Sequence, residues 1–81
     1  MSEQEILDKL SAIFQKVFRD PNIKAQLEMT SRNVRRWDSL AHVDMILMVE
    51  KTFGIKIPTS QAMKLANVGE LVTVISSKVK S

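Results

Sequence analysis

Apolar positions recur at helical spacing along most of this chain, and the polar residues between them mark where each helix starts and stops. Ile6, Leu10, Ile13, Phe14 and Val17 lie three or four apart, with Leu7 and Phe18 widening the stripe, which predicts an amphipathic helix. Ahead of it, Ser2-Glu3-Gln4-Glu5 has the form of a capping box, with Ser2 as N-cap and Glu5 reaching back. Asp20-Pro21 ends the helix, because the residue before a proline is pushed out of the helical region. Residues 20–37 hold no sustained period. Ile23, Leu27, Met29 and Val34 are scattered anchors that pin a long loop onto the core, and Trp37 fastens its end. A loop of this length is uncommon in a compact domain and points to a function or to a short helical turn.

A strongly apolar segment comes next. Asp38 or Ser39 can cap it, it runs to about Phe53, and Gly54 is suited to a left-handed C-cap. Residues 55–58 form a connector, and Thr59 or Ser60 can cap a brief helix over residues 61–65. Asn67-Val68-Gly69-Glu70 repeats a capping pattern before a closing stripe of Val68, Leu71, Val72, Ile75 and Val79. Val72-Thr73-Val74-Ile75 is β-branched, but no partner strand exists, so a helix is expected. The predicted fold is all-α: a small four-helix bundle of three main helices and one short one, with a long first loop. Residues 1–81 make a single domain.

The second helix has apolar residues on two sides. At about 100° per residue, Met45, Ile46, Val49 and Phe53 share one face, with His42 near them. Leu40, Val43, Asp44, Leu47 and Lys51 fall roughly opposite. A helix packed on one side needs only one apolar stripe. Met45, Ile46, Val49 and Phe53 form the larger, aromatic stripe and are the expected core. Leu40, Val43 and Leu47 are then left outside, bordered by Asp44 and Glu50, as on a partner-docking face.

Composition narrows the chemistry. The absence of cysteine removes disulfides, thiolate metal sites and cysteine nucleophiles, and one histidine cannot build a metal site. No apolar run is long enough to span a bilayer, and the acidic, polar start is wrong for a secretory signal, so a cytoplasmic protein without membrane insertion is expected. The net charge is +3, yet residues 38–57 carry −1 between flanks of +2 each. Arg32, Arg35 and Arg36 form the most basic cluster. It supports one alternative function, a small basic helical module binding nucleic acid. Against that, the second helix is too apolar to read a groove, and no Gly-containing turn joins two short helices. Asp38, Ser39 and His42 are close enough in sequence to suggest a hydrolytic triad, but one helix turn supplies neither an oxyanion site nor a substrate pocket. No catalytic residue is assigned and no enzyme is expected. Met45, Met48 and Met63 are expected to fill the core from helices.

What remains is a single hydroxyl at an exposed helix start, a poor catalyst but a good attachment point. The run Asp38-Ser39-Leu40-x-x-Val43-Asp44, followed by Glu50-Lys51-x-Phe53-Gly54-Ile55-x-Ile57-Pro58, resembles the phosphopantetheine attachment region of acyl and peptidyl carrier proteins. The order of elements resembles that family along nearly the whole chain. The resemblance implies a fold of acyl-carrier type and a covalent 4'-phosphopantetheine arm, taken from coenzyme A, on Ser39, with Asp38 immediately before it. It implies a carrier of acyl or aminoacyl thioesters, monomeric and free of nucleic acid. Its partners would be a phosphopantetheinyl transferase, acyl- or aminoacyl-loading enzymes, and acyltransferases or synthases. Leu40, Val43 and Leu47 fall at the family's apolar contact positions, and Asp44 and Glu50 at its acidic ones. Ala41 and Lys51 stand where fatty-acid carriers are usually acidic. Trp37 before the motif and a pI near 9.5 resemble freestanding, specialised carriers more than the principal fatty-acid carrier.

Overall fold

A computed structural model describes residues 2–79. Its element order is α1 (Glu3–Val17), α2 (Ser39–Phe53), α3 (Thr59–Ala62) and α4 (Val68–Lys78), with no strand among the described residues. The β-branched run in α4 is helical because Val68, Leu71, Val72 and Ile75 are buried on one stripe, and burial outweighs a modest propensity cost.

Each main helix starts on a side-chain cap. The predicted capping box forms at α1, where Glu5 N–H donates to Ser2 Oγ at 3.2 Å and Ser2 N–H donates to Glu5 Oε1 at 3.1 Å. Asp38 caps α2 and Asn67 caps α4. At the other ends, α1 and α2 close in the same way. Asp20 N–H reaches Gln15 O at 3.1 Å, and Ile55 N–H reaches Glu50 O at 3.1 Å. Each bond spans a residue in the left-handed region, Gly54 (φ 65°) after α2 and Arg19 (φ 54°) after α1. Glycine takes that conformation without a Cβ clash, whereas Arg19 does not. The helix therefore stops at Val17, before Asp20-Pro21 is reached.

The short helix departs from expectation. It spans Thr59–Ala62 rather than residues 61–65, and neither Thr59 nor Ser60 caps it; Pro58 is the N-cap and makes no side-chain bond. Pro58 has φ −57°, already suited to a helix start, and its carbonyl accepts Ala62 N–H at 2.9 Å. Met63 therefore lies past the helix end and is 63% exposed, so it is not core filler. Met45 is fully buried, and Met48 is half-buried.

Helix α1 packs against α2 and α4. The core joins Ile6, Leu10 and Phe14 of α1, Met45 and Val49 of α2, and Leu71 and Ile75 of α4. Phe53, expected in the core, is only half-buried: as the last residue of α2 it sits at the core's rim. The loop between α1 and α2 holds turns but no helix. It is stitched down at four points. Gln15 Nε2 donates to Ile23 O at 3.0 Å, and Ala25 N–H donates to Ser11 Oγ at 2.8 Å. Val68 N–H and Gly69 N–H, at the start of α4, donate to Met29 O and Leu27 O at 2.9 and 2.8 Å. Glycine eases the last contact: a Cβ on residue 69 would lie a tight 3.2 Å from Leu27 O. Leu27 is held by its backbone, and the residue is 37% exposed. Trp37 closes the loop against Phe14 and Phe18, with ring centroids 5.6 and 5.1 Å apart. Aromatic pairs at such distances add to burial energy, and here they fix the entry to α2.

Candidate functional site

Ser39 is the first residue of α2 and is exposed. Either Asp38 or Ser39 could have been the cap. The structure gives that task to Asp38, whose Oδ1 accepts Ala41 N–H at 2.8 Å. The Ser39 hydroxyl is thus left outside the capping bond. A helix start suits an anion attached there, since unpaired N–H groups and the helix dipole favour negative charge. Helix α2 is 15 residues long with no acidic residue in its first turn, and the Asp38 carboxylate at its N-cap takes up one of the free N–H groups there.

A cleft of about 360 Å³ lies against Ser39, between the loop end and the segment after α3. Ser31, Trp37 and Asp38 line one side, and Met63 and Leu65 the other. His42 borders it and is half-buried. Trp37 Nε1–H donates to His42 Nδ1 at 3.0 Å, and His42 Nε2 lies 2.9 Å from Ala62 O. The two ring planes are nearly parallel, 19° apart, with centroids 6.1 Å apart, so the rings meet edge to edge through the Trp37–His42 bond. Both imidazole nitrogens are committed to neighbours other than Ser39, and Asp38 is committed to the backbone. Among the described residues no hydrogen bond joins the Ser39 hydroxyl to Asp38 or His42.

The far side of α2 carries the second apolar stripe. Leu40, Val43 and Leu47 are 79%, 50% and 56% exposed, while Ala41, Met45, Ile46 and Val49 are buried. Asp44 is exposed beside them. Glu50 also has a structural partner: its Oε2 accepts Ile57 N–H at 2.7 Å, closing the turn after α2. That bond joins residues seven apart through a folded turn, and periodicity carries no signal for it. Val43, Leu47, Ile57 and Met63 line a second cleft of about 190 Å³ between α2 and α3. Toward α1, Asp44 and Leu47 border a shallow surface with Lys16, Arg19 and Lys51. Arg32, Arg35 and Arg36 are exposed on the loop. Sequence reasoning did not find the Trp37–His42 bond, although a lone tryptophan five residues before a lone histidine was a visible pair.

A family model described as the phosphopantetheine attachment site matches residues 37–75. An acyl carrier protein of Lactobacillus johnsonii is 34% identical over 77 residues, covering 95% of this chain and 96% of its own. The chain belongs to the acyl carrier protein family. Another acyl carrier protein, from Thermosynechococcus vestitus, is 35% identical over 80 residues, covering 98% of each chain. The solution structure of a holo acyl carrier protein from Geobacter metallireducens superposes with a TM-score of 0.81 at 36% identity, over 89% of this chain and 83% of its own. As an acyl carrier protein, this chain is a carrier rather than an enzyme, and its cofactor is a covalent 4'-phosphopantetheine. No helix among the described residues is long and apolar enough to cross a membrane.

Proposed function

We propose that Ser39 is the attachment residue, and that this is a freestanding, specialised carrier of acyl or aminoacyl thioesters. The observation that carries the reading is the position of Ser39: an exposed hydroxyl opening α2, inside the matched attachment region, with the capping task taken by Asp38. In the attachment step, Ser39 Oγ bonds to the pantetheine-side phosphorus of coenzyme A. The bond from that phosphorus to the adenosine-side phosphate breaks. Adenosine 3',5'-bisphosphate leaves, and the serine proton passes to the transferase. When bound, the arm supplies a terminal thiol that holds the acyl group as a thioester.

The chain's own work is presentation. Asp38 and the Phe14–Phe18–Trp37 cluster hold the start of α2 rigid, which fixes the arm's root. A tethered group then meets each docked enzyme at high effective concentration. Leu40, Val43 and Leu47 supply the apolar part of the docking face, and Asp44 its charge. Glu50 serves the turn first. The partners in this reading are a phosphopantetheinyl transferase and the enzymes that load and unload the arm. Trp37, Ala41, Lys51 and the basic surface toward α1 support specialised partners over those of bulk fatty-acid synthesis.

The test is intact mass after incubation with coenzyme A and a broad-specificity transferase. The wild type gains one phosphopantetheine, and Ser39→Ala folds and gains nothing. No gain by the wild type across several such transferases refutes the reading.

A further inference from the structure

His42 lines two neighbouring spaces. The cleft against Ser39 and an inner cavity share Ser31, Trp37, His42 and Leu65 as walls. The inner cavity measures only about 60 Å³ and reaches Met45 and Leu71, both buried in the core. A space that size holds about two waters at ~30 Å³ each, well below the about 150 Å³ of an apolar cavity that takes up benzene.

The wall between the two spaces is bonded shut. An indole N–H can only donate, so His42 Nδ1 must accept. The imidazole proton then sits on Nε2, which donates to Ala62 O. One neutral tautomer satisfies both contacts, and it ties the loop end, α2 and α3 together in one plane of hydrogen bonds. Displacing the ring would strand a partly buried indole N–H and a carbonyl at once.

We infer that the Trp37–His42 pair is a partition that turns the carried group away from the bundle interior, which makes His42 a specificity-determining residue. The inference rests on Ser39 as the attachment residue. A group on the arm stays in the outer cleft or along the α2–α3 cleft, where Val43 and Met63 face it. Short or polar acyl groups suit such a site. A long alkyl chain would keep apolar surface in water there, because the interior is closed to it.

The experiment loads methyl-labelled protein with acetyl- or octanoyl-phosphopantetheine, using the matching coenzyme A thioester and a broad-specificity transferase. Intact mass confirms loading, and NMR detects close approach of the octanoyl chain to methyl groups. In the wild type, the chain gives contacts to Val43 or Met63 and none to Met45 or Leu71. In His42→Ala, contacts to Met45 and Leu71 appear. His42→Gln, whose amide offers one acceptor and donors, keeps them absent. Contacts to Met45 or Leu71 in the wild type, or equal contacts in all three proteins, overturn the inference.

Two measurements on unmodified protein stand apart from Ser39. Nitrogen NMR of the His42 ring should show a protonated Nε2 and a bare Nδ1; the opposite tautomer overturns the partition. Added octanol should shift Met45 and Leu71 methyls in His42→Ala and leave them unmoved in the wild type; an equal shift in both overturns it. Failure to load at Ser39 counts against the attachment reading, and these two measurements still decide the partition.

Discussion

Met45 and Leu47 are two residues apart on α2 and face opposite ways, so truncating each to alanine isolates burial as the variable. Met45 is fully buried, whereas Leu47 is more than half exposed. Removing a buried methionine side chain costs about 2–5 kcal/mol. Met45 lies toward the upper part of that range, because it already borders a 60 Å³ cavity whose other walls, Trp37 and His42, are bonded in place. The site therefore collapses poorly, and each 40 Å³ left unfilled adds about 1 kcal/mol at ~24 cal/mol per Å³. Leu47→Ala removes a side chain that is mostly in water, and surface changes stay within about 0.5 kcal/mol. A domain of this size has a total stability of about 4–12 kcal/mol, so the Met45 variant loses a large share of it. Urea denaturation followed by far-ultraviolet circular dichroism measures both. At about 4–8 °C per kcal/mol, a 3 kcal/mol loss lowers the melting temperature by roughly 12–24 °C, against at most a few degrees for Leu47→Ala. The same Leu47 variant should slow transferase modification of Ser39. Equal, large destabilisation by both changes would mean that the outer stripe is packed and that no apolar docking strip exists.

Glu50→Ala should cost about 1–3 kcal/mol by leaving Ile57 N–H without its partner, while Glu50→Gln retains most of that stability, as denaturation would show. If both variants modify Ser39 at the wild-type rate, the role of Glu50 is confined to the turn. Gly54→Ala should cost about 1 kcal/mol: the new Cβ meets nothing within 4 Å, so the loss is backbone strain alone. Arg19→Gly, at the matching position after α1, should change stability by less than about 1 kcal/mol and in the favourable direction. Ser2 N–H, and then the Ser2 hydroxyl, hold the Glu5 carboxyl below its ordinary value, so the folded state binds that proton less readily than the unfolded state. The Glu5 contribution is therefore complete above the ordinary carboxylate range and disappears as pH falls through the lowered folded value. Glu5→Gln should flatten that part of an acid denaturation curve, and an unchanged curve would count against the capping box as its source.

The helices of this protein were written in local patterns. Stripe spacing located α1, α2 and α4, and short capping motifs set their starts at Ser2, at Asp38 or Ser39, and at Asn67, because caps act over three or four residues; only the structure chose Asp38. Gly54 as the stop of α2 was equally local. The division of α2 into a buried and an open face also came from periodicity alone, since one helix face can meet only one core. Ser39 stood out through its neighbours in sequence, which the family match covers. What the sequence did not contain were contacts between residues brought together by the folded chain. The limits of α3 depended on Pro58 and on the turn at Met63, not on the hydroxyls nearby. Glu50 found its partner across a turn. Phe53 packs against the core only from its rim. Trp37, His42 and Ala62 form one hydrogen-bonded line only after the loop, α2 and α3 have converged, and a hydrogen bond requires positions fixed to within a few tenths of an ångström. Periodicity determines which face of a helix turns inward; only the packed structure decides which polar atoms meet there, and so how the space beside Ser39 is closed.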